Sequence, residues 1–161
     1  MEAIEAVRTR YRPERIMTLF VGESPPASGA FFFCGNNAML RHMQCAVELA
    51  LGEKSSNFLE SFKAYGWYLD DLVLTPVPKL KLKTECLRAQ NSLAKRIEEY
   101  QPLAIVSLLL RISHIVEAAA IAAGNNNPRY AVPFPGNGHQ GCFKAAMACI
   151  IPKLPRLTEP A

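Results

Sequence analysis

Ile16-Met17-Thr18-Leu19-Phe20-Val21-Gly22-Glu23-Ser24-Pro25-Pro26 is the stretch on which the fold turns. A strand with one wet face alternates apolar and polar residues, whereas 16–21 is apolar almost without interruption and stops at Gly22. That pattern predicts a strand covered by helices on both faces, as in a parallel sheet. The segment after it, through Gly29, carries too much Pro and Gly for a regular element and reads as a loop at the strand's carboxyl end. Working outward, Asn36 or Asn37 caps a helix over 38–51, where Met39, Leu40, Met43, Val47 and Leu51 recur at helical spacing before Gly52. A second helix is predicted over 55–65 and a strand over 67–74. A long polar helix follows over 84–100, then a strand over 103–110, a helix over 114–123, a short strand over 130–133 and a last helix over 143–151.

Strand and helix thus alternate about four times, which predicts an α/β fold: three α/β/α layers around a small, mainly parallel four-stranded sheet. The organisation expected is an N-terminal arm or helix over 1–15, one α/β domain over 16–151 and a frayed C-terminal tail over 152–161. A length of 161 residues agrees, since one domain usually takes roughly 100–200 residues. With half the residues hydrophobic and 20% charged, a disordered chain is excluded. The net charge of +4 favours anionic partners but falls short of a protein that wraps nucleic acid nonspecifically. Cys34, Cys45, Cys86, Cys142 and Cys149 are odd in number and form no C-x-x-C pair. Neither a disulfide framework nor a metal or iron–sulfur nest is expected, and a reducing, cytoplasmic location fits. The acidic start lacks the character of a secretory peptide, and no apolar run reaches the ~18 residues of a membrane span, so no membrane partner is expected.

Ligands of such sheets bind beyond the carboxyl ends of the strands. Glu23 leaves the first strand there and can polarise water or stabilise developing positive charge, or simply accept N–H bonds from its own loop. His139 sits among glycines at the mouth of the last helix, where it can face an anion or stand as a surface histidine in a turn. Phe31-Phe32-Phe33 offers a ring to stack on a flat ligand, or packs as core or lid. Asp70 and Asp71 interrupt the second strand, and a buried carboxylate there needs a partner. Asp71 can accept a ring N–H from a base, or act as a structural cap. Lys79, Lys81 and Lys83 alternate with leucines, so in an extended chain all three point one way, toward phosphates or as a charged sheet edge. No Walker-type, G-x-G-x-x-G or G-x-S-x-G pattern occurs, which weakens nucleotide hydrolase, dehydrogenase and esterase readings.

Leu19-Phe20-Val21-Gly22-Glu23-Ser24-Pro25-Pro26, followed by Gly29-Ala30-Phe31-Phe32-Phe33-Cys34-Gly35, resembles the first motif of the uracil-DNA glycosylase superfamily in its G-E-x-P-G branch. The resemblance implies a DNA repair enzyme that flips a damaged base into a crevice and hydrolyses its glycosidic bond through a sugar cation, without a cofactor. It implies that Glu23 orients water or stabilises the cation, and that Gly22, Ser24, Pro25, Phe32, Phe33 and Asp71 hold the base. His139 would meet the leaving group, and Lys79, Lys81, Lys83, Gly136, Asn137 and Gly138 the DNA. The chain departs from the pattern in three places. Asp71 stands where the family presents an Asn that reads uracil; Phe134-Pro135-Gly136 stands for His-Pro-Ser, with His139 downstream; and the branch's four-cysteine cluster has no counterpart. The implied protein is a cluster-free, divergent member. A noncatalytic module binding a nucleobase or DNA on the same fold is the alternative, and a domain whose loops serve a protein partner is a third reading.

Overall fold

The computed structural model describes residues 3–157. The run at 16–21 forms strand β1 (Thr18–Gly22), with every residue buried, and three further strands follow: β2 (Trp67–Asp71), β3 (Ala104–Ser107) and β4 (Arg129–Ala131). They make one sheet in the order β2-β1-β3-β4, and every neighbouring pair is parallel. The protein is therefore a small α/β/α domain, as the unbroken apolar run predicts. Because β2 lies to one side of β1 and β3 to the other, the chain reverses direction across the sheet beside β1. This arrangement opens a crevice at the strands' carboxyl ends.

The register with β2 puts Thr18, Phe20 and Gly22 on one face with Trp67, Leu69 and Asp71. On that face Phe20 packs on Trp67 and on Phe62 of helix α3 (Phe58–Ala64). Helices α2 (Ala38–Leu51) and α7 (Gln140–Ile150), which pack on each other, complete this layer. On the opposite face Tyr68 meets Tyr100, and Asp70 meets Arg96, both from helix α5 (Gln90–Tyr100), which pairs with α6 (Ser113–Ala122). Among the described residues no helix is long and apolar enough to cross a membrane.

Several boundaries move from their predicted places. The strand expected over 67–74 ends at Asp71, and the one over 103–110 is confined to 104–107, because the chain leaves the sheet to form the crevice walls. The last strand is 129–131 rather than 130–133. Asn37, not Asn36, caps α2 by accepting the Leu40 N–H at 3.2 Å, while Asn36 closes the preceding loop by accepting the Phe31 N–H at 3.0 Å. Asn57 caps α3, which starts three residues later than expected because Ser55 instead pairs its hydroxyl with Ser61 at 2.6 Å. The long helix over 84–100 is two, α4 (Leu82–Arg88) and α5, interrupted at Ala89.

At the ends, the N-terminal segment expected as an arm or helix contains helix α1 (Ile4–Arg10), whose Val7 and Arg8 are buried, and the expectation for the tail changes more. The tail expected to fray is docked through Leu157. The Pro155 carbonyl accepts from Thr18 Oγ1 at 2.8 Å and from the Trp67 indole at 2.9 Å, and the Leu157 N–H reaches the Tyr65 carbonyl at 2.8 Å. Satisfying the buried Trp67 N–H is the physical reason that segment is held. The part of the tail over 158–161 lies outside the described residues.

Candidate functional site

A cavity of about 350 Å³ opens where β1, β2 and β3 end. That is near the lower end of the roughly 300–1,000 Å³ of small-molecule sites. Its floor is the end of the β1–β2 ladder, which continues past the strands through Leu72 N–H to Gly22 O at 2.8 Å and Val73 N–H to Glu23 O at 2.9 Å. Gly22 is required there by close approach: a Cβ on it would stand 2.6 Å from Asp71 Oδ1. The walls are the Glu23–Pro26 loop, Phe31 and Phe32, Asn37 and Met39 at the start of α2, and Leu108, Leu109 and Arg111 after β3. Phe134 reaches in from the loop after β4.

The three phenylalanines divide between two roles. The chain turns through a short 3-10 helix, Phe32–Cys34, ending at Gly35 with φ of 81°. Phe31 and Phe32 consequently line the cavity, whereas Phe33 turns inward to stack on Tyr11 and Tyr68, with ring centroids 5.4 and 5.8 Å away. A flat ligand entering the cavity meets Phe31 or Phe32, and Phe33 supports them edge-on from behind, with centroids 5.9 and 5.0 Å away.

Asp71 sits on the cavity floor and is almost wholly buried. Arg8 of α1 reaches it: Nη2 lies 3.3 Å from Asp71 Oδ2, Nε lies 3.4 Å from Asp70 Oδ1, and Nη1 is 2.5 Å from Glu5. Its guanidinium also lies 5.2 Å from the centre of the Phe31 ring. Arg96 completes the cluster by donating to Asp70 at 2.6 Å and to the carbonyls of Asp71 and Leu72 at 2.9 and 3.0 Å. Two buried acids thus face two arginines, the condition under which charges survive in a core. Burial opposes the Arg8 cation, but Asp70, Asp71 and Glu5 outweigh it and raise its pKa above the ordinary value. Burial pushes the Asp71 carboxyl up to about 7, against the pull of Arg8 and with the help of Asp70. Near neutral pH a large share of Asp71 is therefore a neutral acid that can donate as well as accept a hydrogen bond.

Glu23 lines the cavity with only 13% of its side chain exposed. Arg111, 66% exposed, grips both of its oxygens: Nε donates to Oε2 at 2.7 Å and Nη2 to Oε1. The bidentate geometry is the strong form of this contact. Glu23 follows β1 and Arg111 follows β3, so the pair spans the place where the chain reverses across the sheet.

Of the residues singled out in the sequence, Gly22, Glu23, Ser24, Pro25, Phe32 and Asp71 come together on this cavity. Phe33, His139, Gly136, Asn137 and Gly138 do not line it. His139 is exposed at the start of α7, and Asn137 and Gly138, with φ of 53° and 83°, shape the turn leading into it. The lysines do not alternate as in a strand. Lys79–Lys81 is a 3-10 turn running into α4, and helical winding puts Lys79 and Lys83 on a neighbouring groove while Lys81 lies outside it. Sequence reasoning missed Arg8 and Arg111. Arg111 carried a signal of the same kind as Glu23, a charge just beyond a buried apolar run. Arg8 carried none, since the buried acids it meets, Asp70 and Asp71, lie more than sixty positions away. Comparison of the chain with protein-family models and with curated proteins finds no match.

Proposed function

We propose that this cavity receives a deaminated base such as uracil from DNA, and that the protein is an N-glycosylase hydrolysing the bond between that base and its sugar. The observation that carries the reading is the convergence of Glu23, Asp71 and the Phe31–Phe32 rings on one cavity of about 350 Å³. The base stacks on a ring, and Asp71 presents the donor–acceptor pair that an amide would present there, because burial keeps its carboxyl partly protonated. The C1′–N bond breaks with its electron pair leaving on the base, and the Asp71 acid stabilises the resulting negative charge by donating to a base carbonyl. Glu23 faces the sugar cation and accepts a proton as water adds its oxygen to C1′; the base anion is protonated from solvent. The products are a free base and an abasic sugar, so one water is consumed and no electron acceptor is needed.

The test offers single- and double-stranded oligonucleotides carrying uracil, hypoxanthine or xanthine and measures alkali-labile strand breaks. The wild-type chain is expected to produce them on at least one substrate, and Glu23→Gln to slow the reaction about 10²–10⁴-fold, the usual worth of a general base. Two observations favour the noncatalytic module as the second reading: Arg111 occupies both Glu23 oxygens, and His139 is not on the cavity. Salt-sensitive DNA binding with no alkali-labile product on any substrate would establish that second reading in place of the first.

A further inference from the structure

Beside the base cavity lies a second groove, of about 360 Å³, between α4 and the start of α6. Its walls are apolar, Leu82, Cys86 and Leu87 on one side and Ile112 and Ile115 on the other, and Lys79, Lys83 and Arg111 contribute cations. Glu23 is the one carboxylate among its described lining residues, and Arg111 already covers it. The groove and the cavity share Glu23 and Arg111, so they are neighbouring compartments separated by that ion pair. Apolar walls beneath a cationic rim suit a ligand with a flat apolar body and a phosphate, and contiguity with the first cavity makes this the next residue of the same strand.

Building on the base-binding reading, we propose that the groove takes the nucleotide adjacent to the extruded one, with its phosphate on Lys79, Lys83 and Arg111, and that Arg111 leaves Glu23 for this phosphate. The exchange is possible because Arg111 is two-thirds exposed on the side that faces the groove's other cations, and a phosphate offers its guanidinium a bidentate acceptor as well matched as the Glu23 carboxylate it gives up. The consequence is ordered: Glu23 is capped until a nucleic acid strand lies across both compartments, and only then is its carboxylate available to water. Arg111 would then be a positioning residue acting through Glu23.

The experiment is NMR mapping on the full chain with two probes, 2′-deoxyuridine, which has no phosphate, and the dinucleotide pdUpdT. Deoxyuridine is expected to shift the amides of Gly22, Phe32 and Asn37. The dinucleotide is expected to shift these and also Leu82, Leu87 and Ile115, together with the Arg111 Nε–H and the Glu23 carboxyl carbon. In Arg111→Gln the dinucleotide-induced shift of the Glu23 carboxyl should vanish. Movement of the first-cavity amides by the dinucleotide, with the groove and Arg111 unmoved, overturns the subsite and spares the base-binding reading. Groove amides moving alone, or no movement with either probe, sinks the base-binding reading and the paired subsite with it.

Discussion

Replacing Asp71 by Asn separates the electrostatic reasoning from the packing, because the amide keeps the shape of the side chain while removing its titration. The carboxyl is pushed up from 3.8 to about 7, first by burial. For an acid whose folded pKa is raised, the folded protein holds the proton more tightly than the unfolded chain, so stability falls as pH rises from about 4 to about 7 and levels off above that. Some three pKa units at 1.36 kcal/mol each amount to about 4 kcal/mol across the full range, of which roughly 3 kcal/mol falls between pH 5 and pH 8.5. Urea unfolding of wild type and Asp71→Asn at these two pH values measures it. The wild type should lose about 3 kcal/mol more than the variant on going from pH 5 to 8.5, with unchanged m-values. Parallel profiles for the two proteins would refute the claim that Asp71 is protonated near neutrality. Base binding should follow the same titration, weakening above pH 7 in the wild type as the donor is lost, and staying flat in the variant.

Gly22→Ala places a methyl group 2.6 Å from Asp71 Oδ1 where the central strand β1 meets the edge strand β2. It should cost about 1–3 kcal/mol in urea unfolding, as overpacking does, and weaken deoxyuridine binding by disturbing the cavity floor. Arg8→Met leaves Asp70 and Asp71 in the core with Arg96 alone, and breaking a buried charge cluster typically costs about 3–5 kcal/mol. The loss should be largest at pH 8 and smaller at pH 5, where Asp71 takes a proton. Equal losses at both would contradict the coupling of Arg8 to that carboxyl.

How far these features were legible depended on the distance over which each is decided. The uninterrupted run ending at Gly22 announced a strand with two covered faces, and the loop holding Glu23 was located from that run alone. Asn36 or Asn37 and Gly52 marked the ends of α2 through local capping chemistry, and the structure chose Asn37. Lys79, Lys81 and Lys83 misled because the same alternation reads as one face of a strand and as opposite sides of a helical turn, and the 3-10 turn chose the second. Phe31-Phe32-Phe33 left open which ring meets a ligand, since that was settled by the turn at Gly35 and by the stack of Tyr11 and Tyr68 on Phe33.

Sequence alone determined the covered parallel sheet, the alternation of strands and helices, and the placing of Glu23 just beyond a strand, because hydrophobic period, capping and turn chemistry act over a few residues; that β2 ends at Asp71 came from the tertiary structure. Tertiary structure decided what those carboxylates are. Asp71 is pushed toward neutrality because the packed fold buries it beside Asp70, while Arg8 from α1 and Arg96 from α5 pull the other way. Glu23 becomes a capped carboxylate only because the end of β3 delivers Arg111 across the sheet. Burial and charge pairing depend on neighbours distant in the chain, and no local pattern of residues specifies them.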